Sequence, residues 1–245
     1  MIQGIAFLVA VTDETKLERL RRSIDALERP PGFEVRTFER RGANGLAEAY
    51  NGLLADSAGW RYKAYVHQDV VIRNTDLIAD VQRIFRRRSI ALIGAAGCRY
   101  LPQSCVWWDG SGVFGRVVHL TPRGEDVLEL EQPAGEAEIV EAVDGLCMIT
   151  QRDMPWDETI GGFHFYDVAQ SMRYVLSGYD VVVPRQDEPW FAHDETPRAV
   201  PETPAYRESR DAFRSRYWTR REHFQRSRVR RRIRRAAALA RTLWL

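Results

Sequence analysis

The chain has 245 residues, 44% hydrophobic and 29% charged, enough for one large domain with a real core, which argues against general disorder. No apolar run approaches the roughly 20 residues needed to span a bilayer. Three widely spaced cysteines, Cys98, Cys105 and Cys147, suit neither a disulfide framework nor a zinc knuckle, so a reducing, cytoplasmic setting is expected.

Residues 2–11 are mostly apolar and β-capable, and read as a strand buried on both faces rather than as a secretory leader. Thr12 is placed to cap a helix over 13–28, where Leu17, Leu20, Ile24 and Leu27 recur at helical spacing before Pro30, Pro31 and Gly32. A second strand is expected at 33–38, a helix at 46–57 and a third strand at 62–67. A helix at 75–88 capped by Asn74 and a fourth strand at 90–95 complete the alternation. Strands alternating with helices imply a parallel, right-handed α/β sheet for the first hundred residues. Beyond Gly97 the pattern weakens to short strand candidates at 113–120, 127–130, 139–143 and 146–150. A clear helix follows at 167–177, ended by Gly178, with a last sheet strand at 181–183.

Charge is divided along the chain. The formal net charge is +2, yet residues 214–245 carry 12 arginines against one acid, Glu222, a net of +11 that leaves −9 for residues 1–213. The basic stretch interleaves its arginines with Trp218, Phe224, Ile233 and Trp244, which suits a helix lying on an anionic membrane surface. The alternative is a helix packing its apolar side on the body. Nucleic acid ranks below both, because no recognisable nucleic-acid module accompanies the arginines.

In open α/β sheets, ligands bind outside the carboxyl ends of the strands. That rule gathers Thr12 after the first strand, Glu39 after the second, and His67, Gln68 and Asp69 after the third into one crevice. With alternating side chains, His67 and Asp69 point the same way. A carboxylate there suits a hard divalent cation carrying diphosphate oxygens, though it also suits a cap of the following turn. On the loop after the fourth strand, Trp107 and Trp108 would stack on a sugar face as exposed indoles, or else fill the core. Gly110–Gly115 literally matches G-x-G-x-x-G but opens no helix, so it is no dinucleotide fingerprint.

The run Asn44-Gly45-Leu46-Ala47-Glu48-Ala49-Tyr50-Asn51, followed by Tyr65-Val66-His67-Gln68-Asp69-Val70, resembles the nucleotide-sugar half of family 2-like glycosyltransferases of GT-A fold. More narrowly it is similar to a branch related to a streptomycin-biosynthesis protein, in which the usual Asp-x-Asp is written His-Gln-Asp. Asp144-Gly145, Trp156-Asp157-Glu158, the run from Gly162 to Asp167, Arg173 and Gly178-Tyr179 follow in the order of the acceptor half. The similarity spans about residues 2 to 193.

The resemblance implies that Asp69 binds Mg2+ or Mn2+ bridging the donor diphosphate, with His193 as a further metal ligand from a closing loop. It places Asn44 and Asn51 near the nucleotide and Glu39 at the base or ribose. Asp167 becomes the general base of an inverting transfer, with Tyr166 in place of the acid that usually precedes it. Chemistry agrees with that choice, since an attacking hydroxyl needs a base and a leaving diphosphate needs a cation. Asp144 and Glu158 are rival bases, Trp156 joins them on the acceptor side, and His164 reads as a packing histidine more than a catalyst.

The expected protein is thus a GT-A-like α/β domain with a mostly parallel central sheet flanked by helices. It spans residues 1–203, with a nucleotide-sugar half (1–97) and an acceptor half (98–203), and a basic helical tail follows at 204–245. It would move a sugar from a nucleoside-diphosphate donor to a glycan, lipid-linked or small-molecule acceptor, in the cytoplasm or at the inner membrane face. The alternatives are a sugar-nucleotide nucleotidyltransferase and a non-catalytic sugar-binding protein of the same fold.

Overall fold

Strand β1 (Ile2–Val11) is apolar along nearly its whole length, and Gly4 through Val9 are buried. It runs parallel to β2 (Glu34–Arg41) on one side and to β3 (Trp60–Val66) on the other. The connections are α1 (Glu14–Asp25), which buries Leu17, Leu20 and Ile24, and α2 (Leu46–Asp56), which buries Ala49, Tyr50 and Leu53. This is the computed structural model of the chain, and it describes residues 1–194 and 202–221. The cap of α1 is Asp13, whose side chain accepts from the backbone N–H groups of Thr15 and Lys16. Thr12, the expected cap, is occupied elsewhere. Helix α3 (Leu77–Ile84) is shorter than expected, and Asn74 shapes its approach by accepting from the Asp76 N–H and donating to Asp80.

The central sheet has seven strands in the order β2-β1-β3-β11-β5-β12-β9, completed by β5 (Ile90–Gly94), β9 (Ala137–Val140), β11 (Cys147–Thr150) and β12 (Asp180–Pro184). Five run parallel. The fully buried β11 lies antiparallel between β3 and β5, and β9 lies antiparallel on the β12 edge. Helix α4 (Tyr166–Leu176) packs on this sheet, buries Val168, Met172 and Val175, and precedes β12.

A second sheet was not anticipated. It runs β10-β6-β7-β13-β4, built from β4 (Val70–Ile72), β6 (Ala96–Tyr100), β7 (Ser111–Thr121), β10 (Ala142–Val143) and β13 (Phe191–His193), with β8 (Gly124–Glu129) paired to β7. The two weak candidates at 113–120 and 127–130 are one long hairpin. Its first strand changes partner midway, pairing with β6 before Gly115 and with β8 and β13 after it. Gly115 sits at the change with φ +131°, where a Cβ would fall 2.5 Å from the Ala95 carbonyl oxygen. Only glycine fits there.

The packed body also runs past the expected boundary at residue 203. Helix α5 (Pro204–Phe213) and its π-helical continuation Arg214–Trp218 bury Tyr206, Phe213 and Tyr217. Phe165 packs on Tyr206 and Phe213 at 4.9 and 6.3 Å between ring centroids. Arg221, nearly buried, donates to Glu141 at 2.6 Å and to the Leu101 carbonyl at 2.7 Å. The reason is local: Tyr206, Phe213 and Tyr217 recur seven and four residues apart, an apolar stripe that an arginine count conceals. Residues 222–245, which carry most of the basic stretch, lie outside the described residues. Among the described residues no helix is long and apolar enough to cross a membrane.

Candidate active site

β3 ends in a turn rather than an extended tip. The His67 N–H donates to the Leu146 carbonyl at 3.0 Å, and the Val70 N–H to the His67 carbonyl at 3.2 Å. Gln68 spends its amide on the scaffold: its Oε1 accepts from the N–H groups of Thr12 and Asp13 at 2.7 and 2.9 Å, and its Nε2 donates to Thr12 Oγ1 at 2.6 Å. Thr12 and Gln68 lace the ends of β1 and β3 together.

Asp69 meets His193 through the second sheet. Antiparallel pairing of β13 with β4 sets His193 opposite Val70, and the Asp194 N–H donates to the Asp69 carbonyl at 2.8 Å. His193 Nε2 then lies 3.2 Å from Asp69 Oδ1, and ligand atoms of His67, Asp69 and His193 all fall within 4.8 Å of one another. Lys16 Nζ stands 3.5 Å from Asp69 Oδ2 and donates to the Asp194 carbonyl at 3.3 Å. Burial alone would raise the Asp69 pKa, but the hydrogen bond from His193 and the charges of His193, His67 and Lys16 hold its carboxyl well below the usual carboxylate range. One ionised carboxylate and two imidazoles make a fitting cation cradle, with the Lys16 ammonium as the competing positive charge. Such mixed nitrogen and oxygen donors can hold a divalent cation.

Across from this cluster, Phe165 takes a left-handed backbone at φ 58°, immediately before Tyr166 and Asp167 open α4. A cavity of about 350 Å3 is lined by Asp167, Asp144, Trp107, Trp108 and His164 together with His67 and His193. Burial, with Asp144 as a like-charged neighbour, pushes the Asp167 carboxyl up to about 7 against donation from the N–H groups of Val168, Asp167 and Gly145. Asp144 is already committed, accepting from Trp107 Nε1 at 3.0 Å and from the Leu146 N–H at 2.7 Å. Trp107 is buried while Trp108 is half exposed. His164 packs edge-on to Tyr206 at 5.2 Å, and burial lowers its pKa, which favours the neutral imidazole.

Other expected site residues are placed elsewhere. Glu39 is clamped by Arg21 Nη2 at 2.5 Å and Arg41 Nη2 at 3.1 Å. Asn51 accepts from the Trp156 N–H at 2.7 Å and donates to Glu158 at 2.6 Å, so it staples a loop to α2. Trp156 faces the core, packed edge-on or tilted against Tyr50, Tyr65 and Tyr166, and is not among the residues that line the cavity. Asn44, held by Glu48, shares a separate recess of about 170 Å3 with Glu158. Sequence reasoning did not single out Lys16, beside Asp69, or Phe163 and Tyr206, which also line the cavity. Phe163 lay within the run from Gly162 to Asp167, and Lys16 lies in the first turn of the helix that follows β1.

This arrangement is that of a GT-A glycosyltransferase fold. The model of the Glycosyltransferase like family matches residues 6–217, and the chain belongs to that family. No curated protein matches it in sequence. Among solved structures it is similar to Staphylococcus aureus TarS 1–349 in complex with UDP-GlcNAc (12% identity, 80% of this chain and 60% of that one, TM-score 0.52). It is also similar to GalNAc-T7 with UDP, GalNAc and Mn2+ (9% identity, 93% and 50%, TM-score 0.61). A third is the mannosyltransferase PcManGT from Pyrobaculum calidifontis with GDP-Man and Mn2+ (12% identity, 83% and 58%, TM-score 0.50). The chain thus spans between half and three fifths of each of these proteins.

Proposed function

We propose that the chain transfers a sugar from a nucleoside-diphosphate donor to an acceptor hydroxyl, with inversion at the anomeric carbon. The observation that carries this is the shared cavity: two groups of the cation cradle, His67 and His193, line the same walls as Asp167. The similarity of the fold to proteins solved with UDP-GlcNAc, GDP-Man and Mn2+ supports the choice of donor class and metal. Asp69, His67 and His193 would hold Mn2+, which supplies positive charge to the departing diphosphate. Asp167, ionised above about pH 7, takes the proton of the attacking hydroxyl from the side opposite the diphosphate. Trp108, half exposed at the cavity, offers an indole face to an acceptor sugar.

A panel of nucleoside-diphosphate sugars with Mn2+, assayed for nucleotide release and transfer, tests the reading. Transfer should be found with one donor class and be lost in Asp69→Ala and Asp167→Asn; full turnover in both variants would refute it. A binding-only reading draws on His67 and Tyr166, which stand where two acids are expected. Calorimetric donor binding with Mn2+ but without hydrolysis or transfer would favour it. We place the protein on the cytoplasmic side, with residues 222–245 holding it to anionic membrane. Flotation with anionic liposomes, with and without that segment, decides this, and equal recovery would end the idea.

A further inference from the structure

The two residues that stand in place of expected acids, His67 and Tyr166, are 99 positions apart in the chain and meet in the fold. His67 Nε2 lies 2.5 Å from the Tyr166 hydroxyl, with the ring centroids 6.2 Å apart. Tyr166 is buried among Tyr50 and Trp156, at 6.2 and 5.9 Å, so close packing holds its phenol in place. The hydroxyl has room because residue 145 is glycine: a Cβ there would stand 2.0 Å from it. Asp167, the next residue after Tyr166, stands with it at the start of α4. One short path of contacts therefore runs from the cation cradle through His67 and Tyr166 to the helix that carries Asp167.

We propose that Tyr166 is a positioning residue acting through His67: its hydroxyl oxygen accepts the Nε2–H proton, fixes the imidazole so that Nδ1 carries the lone pair for the cation, and ties the cradle to the helix bearing Asp167. The proposal rests on the cation reading of His67, Asp69 and His193. A ligating imidazole needs its other nitrogen held, by a carboxylate, a carbonyl or a hydroxyl. A carboxylate at position 166 would serve, but it would add a third negative charge beside Asp144 and Asp167, whose carboxyls already interact. A phenol, kept protonated by its burial, does the same work without charge.

The test is a Mn2+ titration of the full-length, donor-free protein, read by the electron paramagnetic resonance of free Mn2+, with melting temperature measured alongside. Tyr166→Phe should weaken Mn2+ binding about 10- to 100-fold, the usual cost of losing a partner behind a metal ligand. His67→Ala should weaken it as much, and adding Tyr166→Phe to His67→Ala should cost nothing more. Gly145→Ala, which drives the hydroxyl off its position from behind, should reproduce the loss if Tyr166→Phe folds poorly. A merely structural tyrosine would lower the melting temperature and leave Mn2+ affinity unchanged. Unchanged or tighter Mn2+ binding in Tyr166→Phe, while Asp69→Asn loses the metal, would overturn this inference and leave the proposed function standing. Wild-type protein that binds no Mn2+ would overturn both.

Discussion

Asp69 shares the cation cradle with His67, Asp167 shares a cavity wall with it, and burial disfavours ionisation of both. Their charges diverge. Asp69 has His193, His67 and Lys16 for neighbours and stays ionised, whereas Asp167 has Asp144 and is poised near neutrality. Burial sets the stakes for a carboxylate, and the sign of the nearest charge decides the outcome. A permanent anion suits a cation cradle, and a carboxylate with a pKa close to the working pH suits proton transfer.

The comparison breaks most severely at Asp69. Asp69→Asn should abolish Mn2+ binding and lower kcat/KM for transfer by about 1,000-fold or more, since the diphosphate loses its counter-charge. Asp167→Asn should lower kcat by roughly 100- to 10,000-fold while donor affinity, measured by calorimetry, stays within about threefold. The same variant sharpens the contrast in stability. Asp167 has its folded pKa raised from 3.8 to about 7, so the unfolded chain gives up its proton first and the wild type loses stability as pH rises through that window. Each unit inside it costs the wild type about 1.4 kcal/mol, and nothing further is lost above pH 7. Melting curves should therefore show Asp167→Asn gaining on the wild type between pH 4 and 7; a constant difference would mean the carboxyl is not perturbed.

A smaller effect concerns Asp144. The wild-type kcat/KM should rise with pH through a limb near 7, and Asp144→Asn should move that limb downward by removing the like charge. An unmoved limb would assign it to another group. The smallest effect lies at Lys16. Its ion pair with Asp69 competes with a metal, so Lys16→Met should tighten Mn2+ binding in the donor-free protein by up to about fivefold, the worth of a partly exposed pair. Weaker binding would show that Lys16 supports the cradle instead.

The first half of the fold was legible because its elements are local: apolar runs make β1 and β3, and leucines at helical spacing make α1. The second sheet was not. Strands β4 and β13 have three residues each, and β13 brings His193 to Asp69 across 124 positions, a pairing without any local period. Asp69, His193 and Asp167 were expected from family resemblance, and the fold gathers them about one cavity and its cradle. Thr12, Gln68, Asn51 and Trp156 are engaged within the scaffold, because polar and aromatic side chains near a site often hold the elements that carry it. Gln68 spends its amide on β1, and Asn51 spends its own on a loop.

The most direct measurement is a crystal structure with a nucleoside-diphosphate sugar and Mn2+, obtained with Asp167→Asn to prevent turnover. Mn2+ should sit between His67, Asp69, His193 and the diphosphate, with the anomeric carbon turned toward position 167 and the nucleotide leaving on the far side. A donor bound outside this cavity, or a metal bound without Asp69, would contradict the account.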